Sequence, residues 1–450
     1  MATIAAPNSV NYADQFPLGI EATSHRRLFF PSTGDKYAPG GSNIIRIDIN
    51  YDGLLDTAQS YLMFKFKNTS TKKMKLDLGQ PVISRLRVES GGVVLEDIQD
   101  YNQLLGGILV PSQSGFGNFH HESFNTNLGT GKVTTASNDN QLAACGYLQR
   151  NTSADTEQNA NNFTGVIGAG DEFTMCYKLV SGLLDNDKYL PLVLMNAGLT
   201  ISLELSPGNA VGVTEHSDPV DIDYEVSAVR YVAHLIDLQR DFYTAMRGAQ
   251  QQAGGNLTIA GTSFRSFSAN MDAGTQQTIN IPARVRSIKS VFWKLTTPND
   301  KQQYNLSSGV HANISSYQLK IGATNYPPTA VNVNAVTNKI EPYLELQKAF
   351  GKLGSTVHSD MLGSGSYLTE ETNAADQMDT GPTQFAPFGL DLEAFRHEIE
   401  NGVDTSTRSL AMSLMLHHNP APTTGHIAHI FIMYDALFYV DMNGAVNVSS

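Results

Sequence analysis

Leu199-Thr200-Ile201-Ser202-Leu203-Glu204-Leu205 alternates apolar and polar residues without a break. That is the period-two pattern of a strand with one face in a core. The pattern returns in the second half as Leu410-Ala411-Met412-Ser413-Leu414-Met415-Leu416, identical at four of seven positions. The order of elements around the two copies recurs as well. A strand at Tyr61 to Phe66 has a counterpart at Val285 to Leu295. A short helix holding Tyr101 has one holding Tyr343, and a strand from Phe173 has one near Phe385. The spacing drifts in one place, between helix and next strand. The first half carries the longer connection there, Gly106 to Phe173 against Gly351 to Phe385.

Further strands are expected at Ile44 to Ile49, near Pro191 to Met195, and at Tyr224 to Leu238, Ser263 to Met271, Gln277 to Ile281, Tyr317 to Gly322 and Ile427 to Val440. Ile83 to Leu95 reads as a hairpin turning at Ser90-Gly91-Gly92. A helix with Asp97 as N-cap is expected to stop at Gly106-Gly107, and Tyr326-Pro327-Pro328 is expected in a loop. Phe242, Ala245, Met246 and Ala249 fall at helical spacing before Gly254-Gly255, and a further helix is expected from Lys339 to Phe350, closed by Gly351. Runs of short strands with Gly, Pro and Asn turns indicate a sandwich or barrel. Eight strands per half with long crossing connections fit a jelly roll better than an immunoglobulin sandwich.

The expected fold is therefore all-β, with two tandem eight-stranded jelly rolls, short helices in long loops and an extended N-terminal arm. Residues 1–42 read as the arm, 43–238 as the first jelly roll with 107–171 as a long surface loop, 239–261 as a helical connector and 262–450 as the second jelly roll.

The chain has 450 residues, enough for two domains. Charged residues make up 16%, below the roughly 25% of ordinary soluble domains, which fits a surface that largely faces other protein. The formal charge of −13 does not suit a nucleic-acid binder, whose affinity rests on neutralising phosphates. The arm balances Arg26, Arg27 and Lys36 against Asp14, Glu21 and Asp35 and is no basic tail. Cys145 and Cys176 make no disulfide framework; they are either one bridge or, in a reducing compartment, free thiols. No signal peptide opens the sequence, and Leu183 to Leu205, its most apolar long stretch, is broken by Asp185, Asp187, Lys188 and Pro191. Synthesis in the cytosol without a membrane span is the expectation.

Catalytic and cofactor patterns do not assemble. Gly363-Ser364-Gly365-Ser366 has the wrong register for a nucleophile elbow, and Gly129-Thr130-Gly131-Lys132 lacks the spacing of a phosphate loop. His417, His418, His426 and His429 invite a metal reading. On one strand, however, 426 and 429 point to opposite faces. His120-His121-Glu122 lacks zinc-protease spacing. Asp221/Asp223 and Asp391/Glu393 read as solvated strand faces, and a single Trp293 is a thin sugar platform. Lys65, Lys67, Lys72, Lys73 and Lys75 form one basic cluster, read either as a contact patch or as edge-strand lysines that discourage aggregation. No catalytic, cofactor or metal residue is assigned.

Tyr61-Leu62-Met63-Phe64-Lys65-Phe66, then Val82 to Ile98 with its Ser90-Gly91-Gly92 turn, then Tyr101, resemble the double-jelly-roll major capsid proteins of tailless icosahedral DNA viruses, especially the polinton-like and adintovirus group. Tyr326-Pro327-Pro328, Phe388-Gly389-Leu390-Asp391-Leu392-Glu393 and Gly402-Val403-Asp404-Thr405 in the second half are similar to that family too. The resemblance implies a homotrimer whose six jelly rolls form a pseudo-hexagonal capsomer. It implies capsomer-to-capsomer contacts in a shell around DNA, penton and minor capsid or cement proteins as further partners, residence in the virion, and no enzymatic activity. Segment 107–171 would form an outer tower. A spike or vertex protein, and a two-domain carbohydrate-binding β-sandwich or glycosidase, are the competing readings.

Overall fold

The computed structural model describes residues 21–71, 74–76, 79–113, 166–167, 169–214, 223–252, 254–296, 309–353, 362, 367–368, 385–395, 398–407 and 410–449. The first half contains β1 Ala22–Phe29, β2 Lys36–Tyr37, β3 Ile44–Ile49, β4 Leu54–Asn68, β5 Met74–Leu76, β6 Ile83–Ser90, β7 Val93–Ile98, β8 Val166–Ile167, β9 Glu172–Tyr177, β10 Leu199–Leu205, β11 Gly212–Thr214 and β12 Tyr224–Leu238. The second contains β13 Leu257–Met271, β14 Gln276–Ile281, β15 Ile288–Thr296, β16 Ile314–Ile321, β17 Thr324–Asn332, β18 Phe388–Asp391, β19 Met412–His418, β20 His426–Val440 and β21 Val446–Ser449.

The two halves have one topology. In the first, one sheet runs β1-β12-β4-β9 and the other β3-β10-β6-β7; in the second the orders are β13-β20-β15-β18 and β14-β19-β16-β17. Taking the principal strands of each half in sequence, every strand has the same place in both. Two four-strand sheets filled in this alternating order form an eight-stranded jelly roll, so the chain is a double jelly roll. β2 and β21 pair at the margins, and β11-β5-β8 form a small extra sheet.

Alternation fixes which face of each strand enters the core. β10 and β19 have the same burial pattern, every second residue buried, and equivalent neighbours, β3 and β6 or β14 and β16; the quoted copy from Leu410 starts two residues before β19, so the strands correspond while the matched residues are offset by two. Aromatic rings fill the space between the sheets. Trp293 of β15 meets Tyr317 of β16 edge-on at 4.8 Å and stacks on Phe388 at 5.7 Å. Phe64 and Tyr177 meet at 5.0 Å, and Phe66 and Tyr224 at 5.2 Å. Centroid distances of this size are typical of favourable aromatic pairs. Gly91 and Gly92, at φ 58° and 84°, turn the β6–β7 hairpin with the two positive φ angles that a tight hairpin favours.

Four local expectations are corrected. Ala22–Phe29, placed in the arm, is β1, paired with β12 from Ala22↔Leu238 to Phe29↔Tyr231. Only Phe29 of its eight residues is buried, so the strand carries no hydrophobic alternation to read. Asp97 is no N-cap: it lies in β7, gripped by Arg85 through Nε–Oδ1 and Nη2–Oδ2 contacts of 2.7 and 2.6 Å. The helix begins after Asp100 and runs as helical turns Tyr101–Leu104, Leu105–Leu109 and Val110–Gln113, together α1, straight through Gly106 and Gly107. Leu192–Leu194 is a buried 3-10 turn rather than a strand; a short apolar run does not distinguish the two. Tyr326-Pro327-Pro328 lies inside β17, an edge strand, where a missing backbone donor is tolerated. The later helices are α2, Arg240–Gln252, and α3, Ile340–Ala349. Most of the long segment 107–171 lies outside the described residues.

Candidate functional site

The residues weighed for chemistry are scattered or structural. His120, His121, Glu122, Lys72, Lys73, Gly129 to Lys132, Cys145, Asp221 and Gly363 to Ser366 lie outside the described residues. Trp293 is fully buried in the second core and offers no sugar platform. Glu393 is not on a solvated face: its carboxylate is 2.9 Å from Lys289 Nζ, which also lies 3.5 Å from Asp435, in a nearly dry cluster. Asp435 in turn accepts from Ser287 Oγ and Glu400 N, so the cluster pins the loop after β18. Lys65 lies on β4, an interior strand, and pairs with Glu172 at 2.6 Å; the edge-strand reading does not apply to it. Cys176 is a half-buried free thiol, and burial pushes its pKa up. Among the described residues, no group of three or more His, Cys, Asp or Glu side chains could hold a metal ion.

His418 and His426 are buried, one on each sheet of the second jelly roll. His418 Nδ1 donates to Ala312 O at 2.8 Å. Burial holds both imidazoles below the usual histidine value, and each is further disfavoured by a neighbouring histidine, His417 for the first and His418 for the second. His429, on the opposite face of β20, turns instead towards Asp100, 3.4 Å away in the first half. Because the folded chain resists protonation at His418 and His426 and the unfolded chain does not, stability falls as pH drops below about 6.5. Thermal melts from pH 7.5 to 5.0 should show this loss, and His426→Gln should flatten it; an unchanged pH slope in the variant would contradict the assignment.

Among the described residues, a second buried polar network lies on the seam between the two jelly rolls. Glu96 of β7 is 1% exposed. Its Oε2 accepts from Ser181 Oγ at 2.7 Å and Leu183 N at 3.0 Å; its Oε1 accepts from Gly182 N at 2.8 Å and, across the seam, from Ser263 Oγ of β13 at 2.5 Å. A buried carboxylate is tolerable only when its acceptor sites are filled, and here four donors converge on it. Asn186 Nδ2 bridges the halves beside it, donating to Gly182 O at 2.9 Å and Ala260 O at 2.8 Å.

Glycine makes the approach possible. A Cβ on Gly261 would stand 2.2 Å from Gly182 O, and one on Gly182 would stand 3.0 Å from Thr262 O. Further along, Lys294 of β15 lays its stem on α1: a Cβ on Gly107 would sit 2.7 Å from Lys294 Cδ. This explains why α1 needs glycine in mid-helix and does not end there. Asn196 N donates to Gly444 O at 2.9 Å, and Lys352 Nζ to Gln113 O at 3.0 Å. The first jelly roll thus offers β7, α1 and the loop between β9 and β10, and the second offers β13, β15, β20 and the turn leading into β21.

The sequence reading missed Glu96, Ser181, Gly182, Asn186 and Gly261. A lone acid in a hairpin strand looks solvated, so Glu96 gave no signal. Gly261 falls in the helical connector expected to run to residue 261, but the helix ends at Gln252 and β13 starts at Leu257, so Gly261 is a glycine inside a strand, which marks a close backbone approach.

No protein-family model matches the chain, and no curated protein is similar to it in sequence. Solved structures are similar along its whole length. PBCV-1 VP54, fitted into a cryo-EM reconstruction of the virophage Sputnik, covers 98% of this chain and 99% of its own at 10% identity and a TM-score of 0.56. The Faustovirus major capsid protein covers 94% and 91% at 8% identity and a TM-score of 0.53. The mavirus major capsid protein covers 100% and 95% at 12% identity and a TM-score of 0.50. At these identities the likeness is one of fold, and it extends over both jelly rolls.

Proposed function

We propose that the chain is a major capsid protein. Three copies form a pseudo-hexagonal capsomer, and capsomers tile an icosahedral virion shell around a DNA genome. The observation that carries this reading is the end-to-end likeness, in both chains, to coat proteins of that kind. A fold shared by chance with an enzyme would not need two jelly rolls of identical strand order in one chain. The duplication supports the trimer, since two like units per chain, three times over, approximate a hexagon, and hexagons tile. The role is structural rather than catalytic. Its partners are further copies of the chain and then penton and minor capsid or cement proteins. Among the described residues no helix is long and apolar enough to cross a membrane. The test is light scattering on the purified full chain. The expected particle has three times the chain mass of 48.8 kDa; a monomer at capsid-forming concentrations would refute the reading.

A further inference from the structure

The buried cluster around Lys289 brings an amine and two carboxyl groups into contact from three segments of the second jelly roll. Lys289 is the extra residue of a bulge in β15: Ile288 pairs with Tyr434 and Ser290 with Met433, and Lys289 between them has no partner on β20. A bulge of this kind re-aims a side chain. Here it sends Nζ to 2.9 Å from Glu393 Oε1 and 3.5 Å from Asp435 Oδ1. Glu393 follows β18 and is held beside the bulge by Leu392 N, which donates to Lys289 O at 2.8 Å. The Lys289, Glu393 and Asp435 side chains are 15%, 13% and 6% exposed.

The three groups differ in what else they touch. Asp435 Oδ2 accepts from Ser287 Oγ at 2.8 Å and from Glu400 N at 2.9 Å. One oxygen of this carboxyl thus sits in a cradle of two donors while the other faces the amine. Donors so placed stabilise the oxyanion of a tetrahedral intermediate at Asp435 Cγ. Glu393 Oε1, the carboxyl oxygen nearest to Nζ, takes no hydrogen bond from the described residues, which leaves it open to a proton. Burial disfavours the Lys289 ammonium, but the two carboxylates outweigh burial and hold its pKa above the usual lysine value. The proton therefore leaves by direct transfer to the Glu393 oxygen in contact with it, not to bulk water. An ion pair taken out of water keeps a desolvation cost, whereas an amide in its place carries no charge. Amine and carboxyl already held together need no encounter step.

We propose that Lys289 and Asp435 condense to an intramolecular isopeptide bond that fastens β15 to β20, with Glu393 as the catalytic proton carrier. The Glu393 carboxylate takes a proton from the ammonium, and the nitrogen lone pair attacks Asp435 Cγ. The Cγ–Nζ bond forms, the Cγ–Oδ1 bond breaks, and Oδ1 leaves as water. Nζ begins with three protons and keeps one. The other two reach Oδ1 through Glu393, which ends as the carboxylate it was. Nothing is oxidised or reduced, and no outside reagent enters. Oδ2 becomes the amide oxygen and stays in its cradle of Ser287 and Glu400. The bond forms once, within one chain, and does not depend on assembly.

The test is the intact mass of the purified full-length chain, unfolded in denaturant before mass spectrometry, beside Lys289→Arg, which cannot condense in this way. Wild type is expected to be lighter than its sequence mass by one water molecule, and Lys289→Arg to match its own sequence mass. A tryptic digest of wild type should contain a branched peptide that joins Lys289 to Asp435 and is uncut after Lys289. Glu393→Gln should condense at least about 100-fold more slowly, the lower end of what a general acid–base group contributes, and so retain the water. An ordinary ion pair gives none of these readings. Wild type at its full sequence mass would overturn the proposal; that measurement needs no variant, so it decides even where a variant fails to fold. A branch from Lys289 to Glu393 in place of Asp435 would overturn the proposed bond, and a Glu393→Gln chain that condenses as fast as wild type would remove Glu393 from the step. Each of these results leaves the capsomer reading untouched.

Discussion

Glu96→Ala should lower unfolding stability by about 3–5 kcal/mol, the range for breaking a buried charged hydrogen-bond network. The substitution removes the carboxylate that accepts from Gly182 N–H and from the Ser181 and Ser263 hydroxyls, and leaves Leu183 N–H only its longer bond to Ser181 Oγ at 3.3 Å. Two of those donors are backbone groups that cannot turn away, and the site is too enclosed for ready access of bulk water. Ser263 belongs to the other jelly roll, so the damage is not confined to one half. The single calorimetric transition expected of the wild type should split, with the halves unfolding at separate temperatures. Glu96→Gln should fail nearly as badly, because its amide turns one acceptor into a donor facing donors. A loss below about 1 kcal/mol, the worth of an ordinary exposed hydrogen bond, would mean that water replaces the carboxylate and that the seam is wet.

Gly261→Ala is expected to cost about 3 kcal/mol, at the upper end for overpacking by a single methyl group. A Cβ there meets the carbonyl oxygen of Gly182 at 2.2 Å and its carbon at 2.8 Å, and backbone cannot yield as a side-chain end can. Either β13 or the 181–186 loop must move, and moving the loop withdraws three of the four donors from Glu96. Gly248→Ala on α2 is the matched control, since a Cβ there meets nothing within 4 Å. Replacing a mid-helix glycine should stabilise by about 0.5–1 kcal/mol. Denaturant titration of the two variants checks both signs; equal effects would remove the close approach from the list of forces holding the halves together.

Much of the fold was legible because burial on one face writes alternation into a strand. β12 reads from Tyr224 to Leu238 at its observed ends, and β10 and β19 announce the duplication. β1 was illegible for the complementary reason. It borders the sheet with polar residues on an exposed face, so Ala22 to Leu28 carry no periodic signal, and only pairing with β12 makes them a strand. α1 was misplaced because glycine has two meanings. At Gly351, with φ 70°, it ends a helix, whereas at Gly107 it admits the stem of Lys294. Sequence shows a glycine but not what approaches it. The seam was legible least of all, since Glu96 and Ser263 lie far apart in the chain and neither departs from what a solvated strand face would carry.

Electron microscopy of the purified full-length protein reaches the main proposal most directly. Viewed down its axis, a trimer of double jelly rolls should appear as six lobes on a hexagonal outline with three-fold symmetry, alternate lobes differing where the first half carries its longer connection between α1 and β9. Particles of two lobes, or a ring with any other number of subunits, would contradict it.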